Sequence, residues 1–222
     1  MAFSDKLVEL ARPCIEAQLQ KPFLVGIVNG DLPLDKFQYW LKVDYPYLIH
    51  YTKILALGIT KADSFETMQI LARLMQGTID EMSLHESYAA KYGVSRKNLI
   101  EQKMGPVKYS YTRHELAAAY SGSLGELLAA LLPCMWGYGE VARLLVNQRP
   151  IEPENPYKDW LAYYSAEEFG RLGTECLHLV DGLVPACTQG QLKKMEENYV
   201  ISCHYEVMCW DAYYNKEEWV IG

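Results

Sequence analysis

Cys134 and Tyr138 lie one helical turn apart in the stretch Leu131-Leu132-Pro133-Cys134-Met135-Trp136-Gly137-Tyr138-Gly139-Glu140-Val141. A thiol and a phenol therefore share one helix face. A thiol that loses its proton to a neighbour is a strong nucleophile at neutral pH. Asp44, Tyr47 and Tyr51 recur at i, i+3 and i+7, a polar-aromatic stripe on a segment otherwise destined for burial. His204, Tyr205 and Glu206 stand between apolar Val200, Ile201, Val207 and Met208, and Tyr111, Tyr163 and Tyr164 extend the pattern to other segments. A carboxyl in a semi-apolar pocket has a raised pKa and can give or take a proton near neutrality. A second carboxylate among tyrosines suits a flat, amine-bearing heteroaromatic ring. Aromatic faces stack on such a ring and the carboxylate accepts from its N–H groups. Phosphate is a poor match, since no glycine-rich loop or arginine fork is visible.

Taken one at a time, these residues have ordinary explanations. A lone cysteine on an apolar helix is usually inert core. A carboxylate on an amphipathic helix usually faces water, and a buried tyrosine usually satisfies its hydroxyl with one partner. Taken together, several helices would have to present such groups for unrelated reasons. Glu81 and His85, at i and i+4, could form half of a carboxylate/histidine metal site. No repeated Glu-x-x-His pair accompanies them, and the expectation is no metal and no cofactor.

The elements that must position these groups are helices. Ser4 is placed to cap a first helix, and Pro22 separates it from a short second one ending at Asn29-Gly30. Pro33 opens a long third helix carrying Asp44, Tyr47 and Tyr51, with Pro46 inside it. A fourth runs from Asp63-Ser64 to about Lys91, and a fifth follows Ser95. Tyr109 to Ser121 carries Tyr111, and Ser121-Gly122-Ser123 separates that helix from an apolar segment, Leu124 to Val146, that carries Cys134. Pro133 should bend this segment, and Gly137 and Gly139 leave room for close neighbours. After a proline-rich loop come a short helix near Asp159 to Tyr164 and one capped by Ser165. The last long helix runs from about Gln189 to Tyr214, with a further turn at Lys216 to Trp219. No segment alternates with period two, so the chain reads as all-α, a single domain over residues 1–222.

Half of the 222 residues are hydrophobic and 22% are charged, as expected for a packed core rather than disorder. The formal net charge of −7 argues against a nucleic-acid or anionic-membrane surface. The six cysteines form no C-x-x-C pair and no zinc-finger spacing. No signal pattern and no run of roughly 18 apolar residues appears, so the expected setting is the cytoplasm with reduced thiols.

Across essentially its whole length the sequence resembles thiaminase II, the TenA-type aminopyrimidine hydrolases. The resemblance rests on Asp44-Tyr45-Pro46-Tyr47, Ser110-Tyr111-Thr112, Leu132 to Glu140, Trp160 to Tyr164, and Tyr205-Glu206 followed by Trp210. It implies a haem-oxygenase-like helical fold, a homotetramer and no metal. By resemblance, Cys134 matches the nucleophile and Glu206 the acid/base, while Asp44 matches the carboxylate that binds the aminopyrimidine. Tyr138 and Tyr164 match substrate-contacting tyrosines, and Tyr47 and Tyr111 match supports for the cysteine and the ring. The implied reaction hydrolyses 4-amino-5-aminomethyl-2-methylpyrimidine, or thiamin, to the hydroxymethylpyrimidine through a cysteine adduct, as in thiamin salvage. Cys209 stands where such enzymes often carry an aromatic residue, which would loosen the pocket. The rival readings are a haem-oxygenase-like metal oxidase using Glu81 and His85, and a non-catalytic pyrimidine-binding or regulatory protein.

Overall fold

The computed structural model describes residues 2–220, and no strand occurs among them. The helices are α1 (Phe3–Leu19), α2 (Pro22–Asn29), α3 (Leu34–Lys61), α4 (Phe65–Lys91), α5 (Arg96–Glu101) and α6 (Pro106–Ser121), followed by α7 (Leu124–Leu132), α8 (Tyr138–Gln148), α9 (Lys158–Tyr164), α10 (Glu167–Leu183) and α11 (Gln189–Asn215). A π-helical turn, Pro133–Gly137, joins α7 to α8.

Local chemistry sets most boundaries. Pro22 and Pro106 occupy the first turns of α2 and α6, where a missing N–H costs nothing. Ser64, Ser123 and Thr188 cap α4, α7 and α11 by accepting from backbone N–H groups three residues on. Gly30 closes α2 at φ 77°, a left-handed conformation that favours glycine.

Three expectations need correction. Ser4 lies inside α1 rather than capping it; its N–H and hydroxyl both donate to the Asp181 carboxylate of α10, at 2.8 and 2.6 Å. The cap is thus supplied by a distant helix, which sequence spacing cannot reveal. Ala166, with no side-chain cap, precedes α10 instead of Ser165. Lys216 turns left-handed at φ 51° and ends α11, so Lys216 to Trp219 adds no helical turn.

α3 runs unbroken through Pro46 and packs on α4 and α6, while α11 packs on α7, α1 and α6. Burying these faces removes the largest side chains from water: Trp40, Trp160 and Trp210 are all fully buried in one continuous core. The π turn falls where Pro133 has no N–H to offer the carbonyl four residues back, and the widened turn absorbs that break. Two contacts hold it. Tyr51 of α3 donates its hydroxyl to the Leu131 carbonyl at 3.0 Å. Gly173 of α10 brings backbone against the turn so closely that a Cβ there would lie 2.8 Å from Trp136 Cα. Gly139 admits the Phe169 ring in the same way, whereas Gly137 faces open space, so the expected close approach holds at one of the two glycines.

Candidate active site

Three helices bring stripes of the same spacing to one place. α3 presents Asp44, Tyr47 and Tyr51; α6 presents Lys108, Tyr111 and Glu115; α11 presents Glu206, Cys209 and Tyr213. Each set runs i, i+3, i+7, and so occupies one helix face. The π turn adds Cys134, α8 adds Tyr138, α4 adds Glu81 and His85, and α9 adds Tyr164.

These residues surround a partly enclosed, mostly apolar cavity with a few convergent polar groups, the kind of place where small molecules bind. Asp44, Glu81, Lys108, Cys134 and Tyr138 line it, with Leu48, Leu74, Met135 and Phe169 as apolar wall. Of the residues singled out in the sequence, Asp44, Tyr51, Glu81, Cys134, Tyr138 and Tyr163 therefore reach the wall. Tyr47, Tyr111, Tyr164 and Glu206 pack directly behind it, all buried.

Asp44 Oδ1 lies 3.0 Å from Lys108 Nζ and accepts from the Tyr213 hydroxyl at 3.1 Å. The same ammonium sits 3.5 Å from the centre of the Tyr47 ring, a cation–π contact in a desolvated place. Burial works to lower the Lys108 pKa, but Asp44 above all, helped by Cys209 and Glu206, more than reverses this and keeps it charged. Tyr47 donates its hydroxyl to Glu115 Oε1 at 2.8 Å. Burial holds the Glu115 carboxyl well above its ordinary range, against the Tyr47 hydroxyl and Lys108.

Cys134 is a thiol at rest. Burial and then the nearby Glu206 push its pKa well up, against the pull of Lys108 and the Tyr47 hydroxyl. Burial also raises Glu206, opposed by Lys108 and Tyr111. Glu206 Oε1, Tyr111 OH, Tyr138 OH and His85 Nδ1 are buried with no hydrogen-bond partner among the described residues. Buried polar atoms are normally paired; of these, Tyr138 OH belongs to a residue on the cavity wall and marks a place where a bound molecule would complete the bonding.

On the opposite wall Tyr164 donates to Glu81 Oε1 at 2.8 Å, and His85 Nε2 lies 3.1 Å from the Tyr164 oxygen. Burial lowers the His85 pKa to about 4, so the ring is neutral; with the tyrosine proton committed to Glu81, Nε2–H donates to Tyr164. Burial, reinforced by Asp44, lifts Glu81 to about 8. Glu81 and His85 thus serve a hydrogen-bonded chain. No group of three or more His, Cys, Asp or Glu side chains among the described residues is placed to hold a metal.

Residues 7–216 match the TENA/THI-4/PQQC family. The chain belongs to the TENA/THI-4/PQQC family. It is 36% identical to the aminopyrimidine aminohydrolase of Bacillus subtilis over 220 residues, covering 99% of this chain and 92% of that protein. It is 34% identical to the aminopyrimidine aminohydrolase of Halalkalibacterium halodurans over 221 residues, covering 99% and 98%. The crystal structure of a TenA family transcription regulator from Silicibacter superposes with a TM-score of 0.87 at 27% identity, covering 96% of both chains. The helical arrangement is the haem-oxygenase-like one.

Within this TENA/THI-4/PQQC site, sequence reasoning missed Lys108 and Glu115. Both sit on the face that carries Tyr111, one turn to either side, so the stripe was visible. A lysine on a helix ordinarily snorkels to water, and this one does not. Cys209 is buried but is absent from the cavity wall, so its small size does not widen the pocket directly.

Proposed function

We propose that the protein is a hydrolase of thiamin salvage that converts 4-amino-5-aminomethyl-2-methylpyrimidine, and thiamin, to 4-amino-5-hydroxymethyl-2-methylpyrimidine. The observation that carries this reading is the placement of Cys134 on the same cavity wall as Asp44, with Glu206 buried behind it. The two nearly full-length relatives named aminopyrimidine aminohydrolase support it.

Asp44 accepts from the ring amine and Tyr138 faces the substrate, while Tyr164 supports the site from behind the wall through Glu81, and Tyr47 and Tyr111 back the thiol and the ring. The thiol proton passes through Glu206 to a ring nitrogen as the sulfur bonds to a ring carbon, so the adduct forms without net change in charge. This suits a thiol and a carboxyl whose pKa values are both raised. Returning the ring-nitrogen proton to Glu206 expels ammonia, or the thiazole, from the exocyclic methylene. Water adds there, Glu206 reprotonates the nitrogen, and the thiol leaves as the ring is restored. Glu81, with a pKa of about 8 and tied to Tyr164, gives a proton to the departing amine and recovers one from the incoming water, whereas the thiazole leaves neutral and needs none.

The protein acts as one domain over residues 1–222, in the cytoplasm, as a homo-oligomer, with a tetramer the form implied by resemblance. Ile201 and Met208, exposed at i and i+7 on α11, are candidate contacts. No helix among the described residues is long and apolar enough to cross a membrane.

The test follows hydroxymethylpyrimidine formation from the aminomethylpyrimidine and from thiamin, beside Cys134→Ser and Asp44→Ala. Cys134→Ser should lose most turnover and keep affinity, because it removes the nucleophile and leaves the pocket. Asp44→Ala should mainly weaken binding. No product from either substrate would overturn the reading.

A further inference from the structure

Lys108 has no part in the hydrolysis derived above, yet its position is costly. It is 3% exposed, and removing an ammonium from water is unfavourable unless partners replace the lost hydration. Here the partners are the Asp44 carboxylate and the face of Tyr47. Both Lys108 and Asp44 open onto the cavity. The pairing also changes what Asp44 can offer. Oδ1 already has the Lys108 ammonium and the Tyr213 hydroxyl, leaving Oδ2, which lies 3.8 Å from His85 Nε2, as the freer acceptor.

A carboxylate standing alone presents two acceptors. The amidine edge of a neutral 4-aminopyrimidine presents something else: a donor amine beside an acceptor ring nitrogen, N3. Two acceptors match that edge only if the ring nitrogen or the carboxyl takes up a proton. An ammonium carries three donors. With one on Asp44 and one over Tyr47, a third remains to place beside the free carboxylate oxygen.

We propose that Lys108 is a specificity-determining residue, forming with Asp44 a donor–acceptor pair that binds the amine and N3 of the neutral aminopyrimidine edge. The inference rests on the cavity being the aminopyrimidine site. Lys108 donates to N3 and Asp44 accepts from the 4-amine, so the ring is held without proton uptake on that side. Glu206 remains free to act on the other ring nitrogen.

The experiment is a binding cycle by calorimetry on the full chain, independent of turnover. Wild type and Lys108→Met are each titrated with 4-amino-2-methylpyrimidine and with 4-amino-2-methylpyridine, in which N3 is replaced by C–H. The aminopyridine is the stronger base and would meet Lys108 as a cation near neutrality, so both rings are titrated above its pKa, where both are neutral and the cycle isolates N3. Lys108→Met should weaken the pyrimidine at least tenfold and the pyridine by less than threefold, since a hydrogen bond to a charged group is lost in one case alone. An equal loss for both rings would assign Lys108 a purely structural role and overturn the proposal, as would no loss for either. Should Lys108→Met fail to fold, the nitrogen-15 resonance of N3 in the wild-type complex decides. A hydrogen-bonded but unprotonated N3 supports the pair, and a protonated N3 overturns it. Absence of pyrimidine binding to wild type would instead defeat the reading of the site itself, and this proposal with it.

Discussion

Gly173 tests whether the thiol is positioned from outside the cavity. It lies on α10 and touches neither Asp44 nor Cys134, but a Cβ there would sit 2.8 Å from Trp136 Cα and 3.1 Å from the Met135 carbonyl oxygen. Carbon atoms pack best at about 3.5–4.0 Å, so Gly173→Ala must separate α10 from the π turn by roughly 0.7 Å or more. Both contacts are to backbone flanking Cys134, and neither can swing aside. Overpacking of this kind costs about 1–3 kcal/mol, partly offset by the roughly 1 kcal/mol that alanine gains over glycine in a helix. The net stability change is therefore modest, about 0–2 kcal/mol. Turnover should suffer far more, because a shift on the order of 1 Å at a reacting atom can cost about 100-fold. Gly170→Ala is the matched control: it is one turn earlier on the same helix, exposed, with no heavy atom within 4 Å of the added carbon. It should raise the melting temperature by about 2–4 °C and leave turnover unchanged. Both variants are read by thermal unfolding and by kcat for hydroxymethylpyrimidine formation. If Gly173→Ala keeps kcat within twofold of wild type, the positioning argument is wrong.

Two other perturbations probe the buried groups. Glu81 has a folded pKa of about 8 against an unfolded value near 4.3, so the folded state holds a proton that the unfolded state lacks between those limits. Its contribution falls as pH rises through that window, by at most about 1.4 kcal/mol per unit. Glu81→Gln should flatten the decline in melting temperature between pH 6 and 8, and an unchanged slope would refute the assignment. Tyr47→Phe removes the hydroxyl donated to Glu115 at 2.8 Å, in a place where Glu115 Oε2 already lacks a partner among the described residues. It should cost about 1–3 kcal/mol by urea unfolding and lower kcat, because the same hydroxyl lies by the thiol.

The helical content and the chemical core were legible in the sequence for a physical reason. Asp44, Tyr47 and Tyr51 break an apolar face at helical spacing, and Cys134 with Tyr138 does the same, so pattern and burial conflict in a readable way. What stayed hidden depends on contacts between segments. The capping of α1 by Asp181 comes from the far end of the chain. The π turn around Cys134 needs Gly173 and Tyr51 to hold it, and neither is near in sequence. Lys108 and Glu115 sat on a visible stripe, but the ordinary habits of lysine and glutamate point to solvent, and only the approach of α3 shows what pairs with them.

The orphaned hydroxyl on the cavity wall bears on how long each molecule survives. An unpaired polar group in the interior costs about 1–3 kcal/mol, and the Tyr138 hydroxyl on the cavity wall is one. A ligand that pairs it stabilises the fold by mass action, about 2.7 kcal/mol at one hundred times its Kd. A shift of that size lowers the unfolded fraction on which proteases act by roughly 100-fold. Supply of the ring would then set the protein's abundance as well as its flux. Idle copies would be cleared first, with no dedicated regulator, and a pulse-chase with and without the pyrimidine would measure the difference in lifetime.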